Sequence, residues 1–568
     1  MPSSSISASP APSCSSRGTI WPTAREGLTL SDTAPSPSPR PASGGSFAPL
    51  RRPVFAVLWG ATVLGNTGTF MRDVASAWLV TDLSASPAAV AAVQAAGMLP
   101  IFLLAIPAGV LSDILDRRRF LMVVQLLLAM VSLSLLLLAA SGLMSVSALI
   151  GLTFLGGIGA ALVAPTWQSI VPELVPRGEL KSAVALNSLG INIARSIGPA
   201  TGGLLLAAFG AAVTYGVDVA SYVVVIAALA WWKRAPAAED ALDERFAGAF
   251  RAGLRYARSS RELHVVLLRA VVFFAFASSI WALLPLVTRD LLRGDAAFYG
   301  LLLGSVGMGA ILGALALPKL RDRLDSDGLM LAAAIVSGVA AGALALAPPR
   351  WAAVPILIAM GGAWIIALTT LNATAQSILP NWVRGRALAV YLTVFNGAMA
   401  GGSLAWGLIA QQIGLATTLT ISGAGLVLTG FLAHRVRLPK GEADLAPSNH
   451  WPEPMMATPV EGDRGPVLIQ VEYHVSPDDR IAFLAALRRL SLARRRDGAY
   501  AWGVTEDAAA PTLVVEWFLV ESWAEHLRQH RRTSHADADV QKELLAFQIT
   551  GTAPLVRHLI TLNGGHEG

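Results

Sequence analysis

The sequence contains few cysteines and few charged residues. Cys14 is the only cysteine among the 568 residues, so an intrachain disulfide is excluded. Charged residues make up 14% of the chain, whereas soluble domains contain about 25%. The sequence also lacks a P-loop motif (Gly-x-x-x-x-Gly-Lys-Ser/Thr), which argues against ATP as an energy source. These absences disfavour a disulfide-stabilised secreted protein, an ordinary soluble protein and an ATP-driven pump.

Apolar residues are abundant instead. They make up 54% of the chain, and runs long enough to span a bilayer, about 20 residues, recur from about residue 53 to about 435. The net charge of +6 is therefore not taken as a sign of nucleic-acid binding. We predict an all-α polytopic membrane protein with twelve transmembrane helices, at approximately 53–82, 88–111, 119–140, 145–171, 182–209, 211–232, 265–290, 296–317, 328–347, 351–379, 386–410 and 414–435.

Basic residues between these helices predict the orientation. One side of the membrane has only Arg289, Arg293 and Arg350 in its loops. The other side has most of the basic residues, and the more positive side is normally cytoplasmic. Both termini are therefore expected in the cytoplasm. The basic residues on that side are Arg51, Arg52, Arg117, Arg118, Arg119, Arg177, Lys181, Lys233, Arg234, Arg245, Arg251, Arg255, Arg258, Arg261, Lys319, Arg321, Arg323, Arg384 and Arg386.

A repeat divides the membrane region into two halves. The segment Gln-Ser-Ile-Val-Pro begins at Gln168, and Gln-Ser-Ile-Leu-Pro begins 208 residues later at Gln376. Each copy closes the fourth helix of a group of six. Repeats of this kind are typical of transporters whose substrate site lies between two halves. We predict an N-terminal half at 53–232 and a C-terminal half at 263–435.

The remaining segments differ in composition. Residues 1–52 are rich in Ser, Pro and Ala and are predicted to be a disordered cytoplasmic tail. The cytoplasmic loop at 233–262 carries an apolar stripe that predicts an amphipathic helix on the inner leaflet. A linker at 436–466 leads to residues 467–562. That segment reads strand-helix-strand-strand-helix-strand, so we predict a small α+β ferredoxin-like domain in the cytoplasm.

The loop after the second predicted helix carries the first family signature. Its sequence GVLSDILDRRR resembles the signature loop of the major facilitator superfamily, Gly-x-Leu-Ala-Asp-Arg-x-Gly-Arg-Arg/Lys-Arg/Lys. The resemblance implies that the loop acts as a conformational latch, in which a carboxylate at a helix end pairs with cations of a neighbouring helix. The residues that carry it are Gly109, Asp113, Arg117, Arg118 and Arg119.

The fifth predicted helix carries a second signature. GINIARSIGPATGG resembles the antiporter motif of exporters, with seven rather than eight residues between its first two glycines. The resemblance implies proton-coupled export, while close packing of helices is the alternative explanation. The motif positions are Gly190, Gly198, Pro199, Gly202 and Gly203.

The whole membrane region resembles the enterobactin-exporter and transmembrane-secretion-effector subfamily. The segments SAWLVTDLSASPAAV, VPELVPRGELKSAVALNSLGINIARSIGPATGG and LPNWVRGRALAVYL carry this resemblance. It implies a bacterial inner-membrane exporter of a small hydrophobic or amphiphilic molecule, such as a siderophore, a drug or a secondary metabolite. The C-terminal segment VESWAEHLRQHRRTSH resembles small antibiotic-biosynthesis monooxygenases, which form dimeric α/β barrels.

Charged residues within the predicted membrane helices are functional candidates, because they are costly to bury. Asp73, Arg195 and Asp218 are our candidates for proton coupling, and a static buried ion pair is the alternative. Arg72 precedes Asp73 but should point about 100° away around the helix, so it is expected to be a poor partner. From their depths we expect Asp73 and Arg195 to come within salt-bridge distance in at least one state.

Several polar residues could line the substrate cavity or form hydrogen bonds between helices. The sequence does not separate these two roles. The candidates are Gln94, Trp167, Asn187, Asn192, Asn372 and Asn396.

Two histidines, His526 and His530, lie four residues apart on one predicted helix and could bind a metal. The sequence shows no third ligand that converges with them, so we interpret them as exposed or dimer-interface residues and predict no metal site and no cofactor.

The preferred hypothesis is a non-enzymatic, proton-coupled exporter in the lipid bilayer. Its partners are a small-molecule substrate, protons and a second copy of the chain through the C-terminal domain. The alternative is a membrane-tethered enzyme or regulated transporter whose C-terminal domain carries catalysis or sensing.

Overall fold

A computed structural model describes residues 47–233, 254–380, 382–441, 464–549 and 554–561, and positions 444, 445, 448, 451, 456 and 460–462 of the connecting segment. Among these residues, eleven helices are long and apolar enough to cross a membrane. Their bounds are α1 (Pro53–Leu83), α2 (Pro87–Ile114), α3 (Arg117–Ala140), α4 (Val146–Leu174), α5 (Leu180–Trp231), α6 (Arg261–Leu286), α7 (Ala296–Arg321), α8 (Ser326–Ala345), α9 (Arg350–Ser377), α10 (Arg384–Ile413) and α11 (Leu415–His434).

Helix α5 accounts for two of the twelve predicted crossings. Its 52 residues would extend about 78 Å as one straight helix, far more than a bilayer core of about 30 Å. The helix breaks at Gly210, which has φ 79° and ψ 176°, a conformation that glycine adopts at little cost. We call the part before Gly210 α5a and the part after it α5b. Counted in this way, the bundle has the predicted twelve crossings.

Two sequence predictions concern residues at the margins of this bundle. Of the predicted tail, residues 1–46 lie outside the described residues, and Ala48–Arg51 form a short 3₁₀ helix ahead of α1. Of the predicted amphipathic loop, residues 234–253 lie outside the described part, and 254–259 are helical. Both predictions therefore remain predictions for most of their length.

The two halves repeat one pattern of helix pairs. In the first half α1 packs on α5, α2 on α4 and α3 on α5. In the second half α6 packs on α10, α7 on α9 and α8 on α11. Gln168 and Gln376 both lie near the C-terminal ends of the fourth helices, α4 and α9. This agrees with the internal repeat seen in the sequence.

The halves meet mainly through two further helix pairs, α2 with α10 and α5 with α7. The α5a–α7 contact is formed by backbone atoms. A Cβ atom on Gly203 would lie 2.6 Å from the Cα of Gly300 and 2.9 Å from the carbonyl oxygen of Ala296. Only glycine at both positions permits this approach, which is how small residues let membrane helices pack closely.

The bundle has a basic end and an opposite end. The helices α1, α3 and α10 begin at Pro53, Arg117 and Arg384, next to the basic loops. Arg52 pairs there with Glu179 at 2.8 Å, so α1 and α5a start side by side. We refer to this side as the basic end.

The C-terminal domain has four antiparallel strands in the order β2-β3-β1-β4, which is the ferredoxin-like topology that the sequence predicts. Alternate residues of β1 and β3 point into a core that includes Val467, Phe518, Phe483 and Leu487. The elements are β1 (Val467–His474), α12 (Arg480–Asp497), β2 (Ala501–Glu506), β3 (Leu513–Val520), α13 (Trp523–Arg532), α14 (His535–Leu545) and β4 (Leu555–Ile560).

The close approach of α5a and α7 predicts that the Gly203→Val variant is destabilised. Added side-chain atoms at a backbone contact typically cost about 1–3 kcal/mol. We expect a lower midpoint of thermal unfolding for the purified chain. The matched control is Gly60→Val, because a Cβ on Gly60 would have no neighbour within 4 Å. Equal midpoints for the two variants would contradict the contact between the halves.

Candidate functional site

A buried arginine organises the polar residues of the first half. Arg72 lies in the apolar part of α1 and is only 8% exposed. Its Nη2 lies 3.0 Å from Asp73 Oδ1, and its Nη1 lies 3.7 Å from Asp218 Oδ2. Nη1 also donates to the hydroxyl of Tyr222 at 3.2 Å. One guanidinium thus connects a carboxylate on α1 with a carboxylate and a phenol on α5b.

Asp218 is the buried end of this network. The residue is 0% exposed, and its Oδ2 accepts a hydrogen bond of 2.6 Å from Ser132 of α3. Its Oδ1 has no hydrogen-bond partner among the described residues. A carboxylate in such a place is stabilised chiefly by the nearby cation, since burial of an unpaired charge is costly. Asp218 therefore fixes Arg72 between α1, α3 and α5b.

Asp73 is the open end of the network, because its side chain is 54% exposed. Asp73 lies nine residues after Leu64, about two and a half helical turns, so the two point to opposite sides of α1. Leu64 is 45% exposed and, as an apolar residue, belongs to the lipid side. Asp73 therefore faces the interior between the halves.

The expectation that Arg72 is a poor partner for Asp73 is wrong. The two side chains do leave the helix in different directions, but direction alone does not decide whether they meet. The guanidinium is long and carries several donors, and both Nε and Nη2 of Arg72 reach Asp73 Oδ1, at 3.3 and 3.0 Å.

Arg195 lies on the interior side of α5a but away from Asp73. It is nine residues before Leu204, so the two occupy opposite sides of the helix, and Leu204 is 61% exposed on the lipid side. A Cβ on Gly198 would lie 2.7 Å from the Cβ of Phe70, and Arg195 and Thr67 each precede these residues by three positions. Arg195 is thus level with about Thr67, roughly 9 Å nearer the basic end than Asp73. In this conformation the partner of Asp73 is Arg72, and the expected Asp73–Arg195 pair is not formed.

The second half has hydroxyl groups where the first half has charges. Ser279 of α6 donates to Ser422 of α11 at 2.8 Å, and these helices correspond to α1 and α5b in the repeat. Both serines are buried. The second half therefore has a neutral pair between these two helices, and its buried ion pair, Arg269 of α6 with Asp327 of α8 at 2.9 Å, lies near the basic end instead.

The glycines of the antiporter-like motif form two packing surfaces on α5a. Cβ atoms on Gly190, Gly198 and Gly202 would meet Val63, Phe70 and Met71 of α1 at 2.7–2.8 Å. Gly203 faces α7, and the backbone oxygen of Pro199 lies against Gly300 of the same helix. The motif thus holds α5a between α1 of its own half and α7 of the other.

The structure separates the roles that the sequence left open for some polar candidates. Trp167 donates to Asn187 Oδ1 at 2.8 Å, which is a hydrogen bond between α4 and α5a. Asn192 and Asn396 each donate to a backbone carbonyl of their own helix, and Asn372 accepts from Gln376 on its helix. Gln94 is half-buried in α2. Asn192 is exposed and lies on the same side of α5a as Arg195.

The second half contains an aromatic cluster that was not predicted from the sequence. Phe274 of α6 contacts Trp364 of α9, with ring centroids 5.1 Å apart, and Phe395 of α10 at 4.6 Å. The ring of Trp281 contacts that of Trp364 at a tilt of 60°, with centroids 5.1 Å apart, and the Nε1 of Trp281 has no hydrogen-bond partner among the described residues. Trp281, Trp364 and Phe395 are half-buried. The signal was available as the seven-residue spacing of Phe274 and Trp281, two turns of one helix face.

The signature loop after α2 lies at the basic end. Gly109 and Asp113 lie in the last turns of α2, and the side chain of Asp113 is outside the described residues. Arg117 pairs with Glu173 of α4 at 2.7 Å, and Arg118 donates to the carbonyls of Leu229 and Ala230. The Arg119 backbone N–H is capped by Asp116. The arginines therefore join α3 to the ends of α4 and α5b, as cations near helix C-termini do.

The C-terminal domain contacts the second half of the bundle. Arg255, just before α6, lies 3.4 Å from Glu521 and 3.1 Å from Glu525. The guanidinium of Arg532 stacks on Trp382 at 4.4 Å, and Trp382 lies between α9 and α10. These contacts link α13 and the preceding Glu521 to the segment that joins the two halves and to the α9–α10 loop.

Polar residues also converge inside the C-terminal domain, but they bind one another. Glu516 is 0% exposed and accepts hydrogen bonds from Tyr473 at 3.2 Å, Trp502 at 3.0 Å and Arg494 at 3.4 Å. Burial, together with the charge of Glu516, raises the pKa of Tyr473 well above its usual value. A cluster in which each group already has a partner is typical of a specific core.

The interpretation of His526 as exposed is wrong. His526 is 1% exposed, and its Nε2 lies 3.2 Å from Nε2 of His530. A third histidine, His558, joins them from β4. Burial and the two neighbouring imidazoles lower the pKa of His526 to about 2. His558 was not predicted as a partner, because it lies 28 residues after His530 in the chain, on a different element.

Comparison with known proteins identifies the family. The family described as transmembrane secretion effector matches residues 44–565. The chain belongs to this family. Its members are transporters rather than enzymes, and the predicted major facilitator fold and multi-pass membrane location are confirmed at this level.

Curated relatives of this secretion-effector chain include three transporters. It is 25% identical to the staphyloferrin A transporter of Staphylococcus aureus, over 67% of this chain and 96% of that protein. It is 28% identical to the multidrug efflux pump Tap of Mycolicibacterium fortuitum, over 70% of this chain and 98% of the pump. It is also 28% identical to the enterobactin exporter EntS of Salmonella choleraesuis, over 57% of this chain and 78% of EntS.

Solved structures support the fold of this secretion effector. A bacterial homologue of the lysosomal transporter Spinster, in an inward-facing conformation, aligns with a TM-score of 0.56 at 16% identity, over 68% of this chain and 97% of the homologue. The D-xylose–proton symporter aligns with a TM-score of 0.54 at 16% identity, over 68% of this chain and 98% of the symporter. At this level of identity the likeness concerns the fold alone.

The network predicts different costs for replacing its two carboxylates. Asp218→Asn leaves Arg72 buried without its interior counter-ion, and breaking a buried pair costs about 3 kcal/mol or more. Asp73→Asn should cost about 1 kcal/mol or less, because Asp73 is half-exposed. Thermal unfolding of the two purified variants measures the difference. A larger loss for Asp73→Asn would contradict the assigned roles.

Proposed function

We propose that the chain exports a small amphiphilic molecule by alternating access of its two halves, driven by protons entering in the opposite direction. The observation that carries this proposal is Asp73, a half-exposed carboxylate within a membrane helix that reaches the interior and is linked through Arg72 to the buried Asp218. Intramembrane ionisable residues of this kind mark proton pathways.

The geometry supports a simple coupling step. When Asp73 is ionised, it shares the charge of Arg72 with Asp218. When Asp73 takes up a proton, Arg72 loses one counter-charge, and its attraction is left to Asp218 and Tyr222 of α5b. A change in the pairing of a buried charge alters the relative free energies of two conformations. Uptake and release of one proton at Asp73 can therefore bias the bundle between its two open states.

The substrate class is inferred from the two interior walls. The first half contributes charged and polar groups, including Asp73, Arg195 and Asn192. The second half contributes the aromatic cluster, with the unpartnered Nε1 of Trp281 among its rings. Aromatic rings with a few placed polar groups are typical of ligand sites. A small amphiphilic molecule fits both walls, and relatives named for siderophores and drugs support the same class.

We further propose that the basic end of the bundle faces the cytoplasm of a bacterium. The loops at that end hold most of the arginines between the helices, as the positive-inside rule requires. The N-terminus and the C-terminal domain then both lie inside the cell, and the membrane is the bacterial inner membrane.

The coupling role predicts that Asp73→Asn uncouples transport from the pH gradient. In proteoliposomes, substrate binding should persist, while the acceleration of transport by an imposed proton gradient should be lost. The matched control is Asp82→Asn, an exposed acid on the same helix, which should keep the acceleration. A normal response to the gradient in Asp73→Asn, at equal abundance, would refute the coupling role and leave a structural carboxylate.

The C-terminal domain offers a second function, and docking favours regulation over catalysis. Its polar cluster at Glu516 is satisfied internally, whereas Glu525 and Arg532 contact the segment between the halves and the α9–α10 loop. We propose that the docked domain restrains movement at the basic end. Pairing of two chains through this domain stays a prediction.

Charge reversal at the docking contact tests this role. Arg255→Glu should repel Glu521 and Glu525, so we expect roughly ten-fold faster proteolysis of the connecting segment, which corresponds to about 1.4 kcal/mol. The initial transport rate should rise with it. The control is Arg258→Glu, an exposed arginine one turn away. Faster proteolysis with an unchanged transport rate would argue for a scaffold without a regulatory role.

A further inference from the structure

Three histidines meet in the core layer of the C-terminal domain, although they come from two elements. His526 and His530 lie four residues apart on α13, on the same side of the helix. His558 lies on β4 directly opposite Ile469 of β1. Residues paired in this way share one face of the sheet, and Ile469 is buried at 2% exposure. His558 therefore points to the helix-covered face, towards α13.

The donor nitrogens are close enough to share one ion. One nitrogen from each ring lies within 4.8 Å of the others, and the His526 and His530 Nε2 atoms are 3.2 Å apart. Zinc–nitrogen bonds of about 2.0–2.1 Å in a tetrahedral arrangement place two donors about 3.3 Å apart. The helical pair already has this spacing, and His558 needs only a small movement of its side chain.

Core packing does not account for the cluster. A position opposite Ile469 normally takes an apolar side chain, and the chain has only 9 histidines, of which three gather here.

The surroundings suit a transition metal. Trp523 packs against His526 at 5.4 Å and against His558 at 5.9 Å, and Trp451 packs edge-on against His530 at 4.8 Å. These rings limit the access of water and hold the imidazoles in place, as the shell around a metal site does. Ligands that are all imidazole favour zinc and its neighbours in the first transition row over magnesium or calcium, which prefer oxygen.

We propose that His526, His530 and His558 form a binding site for one divalent transition metal ion, of which Zn²⁺ is the reference ion. Three protein ligands leave the fourth tetrahedral position open to water or to an external ligand. The site is separate from the membrane network, and the proposal does not depend on the transport mechanism. It also reverses the sequence-based expectation that the chain has no metal site.

The test uses the full-length chain in detergent, purified with an affinity tag free of histidine and stripped of metal by a chelator. Titration with Zn²⁺ against a chromophoric chelator should show one ion per chain, without competition from Mg²⁺. His530→Gln and His558→Gln should each weaken binding at least ten-fold. His535→Gln should bind as the wild type does, because His535 is exposed at the start of α14.

X-ray absorption of the Zn²⁺-loaded wild type provides a readout that needs no variant, and imidazole nitrogens should dominate the first coordination sphere. Several results would overturn the proposal. They are the absence of stoichiometric binding by the wild type, unchanged binding in both cluster variants, equal weakening in His535→Gln, or a first sphere without histidine.

Discussion

A charge that must be kept inside an apolar bundle is the constraint on which the first half depends. Arg72 cannot be deprotonated in a protein, so its surroundings have to supply counter-charge and hydrogen bonds. Asp218 supplies charge from α5b, Tyr222 supplies an acceptor, and Ser132 of α3 holds Asp218 in place. Three helices are thereby tied at one point, and Asp73 is the one member of the group open to the interior.

The contact between the halves follows a different rule. Where α5a meets α7, both contact positions are glycine, so the backbones of Gly203 and Gly300 touch directly. Such a contact carries little side-chain interlocking, so helices can tilt against each other without changing rotamers. Rigid six-helix halves with a smooth contact between them match the rocking motion of transporters built from repeats.

The sequence predicts the architecture well, because that architecture rests on signals that are local. Apolar runs indicated the crossings, the recurrence at Gln168 and Gln376 indicated two halves, and the alternation in β1 and β3 indicated the small domain. The predicted helices 182–209 and 211–232 were already separated at Gly210, where the structure has its break.

The candidate site was harder to predict, because its partners come from separate helices. The sequence identified Asp73, Arg195 and Asp218 as candidates, but Asp73 was predicted to pair with Arg195. That prediction used only depth along the helices, which does not determine how far the guanidinium of Arg72 can bend. His558 and the ring contacts of Trp281 and Trp364 depend on tertiary packing, which spacing along the chain does not encode.

The duplicated halves differ in what they bury between the corresponding helices α1 and α5b in the first half and α6 and α11 in the second. Where the first half has Arg72 and Asp218, the second has Ser279 and Ser422, which form a neutral hydrogen bond. Replacing a buried ion pair requires compensating changes at several positions, whereas a wall of aromatic rings tolerates exchange one residue at a time. Under the proposed function, the second half can therefore diverge towards new cargo while the energy-coupling residues of the first stay fixed. One half can thus change its substrate contacts while the other keeps the coupling residues. A new substrate specificity can then arise without an intermediate form that has lost proton coupling.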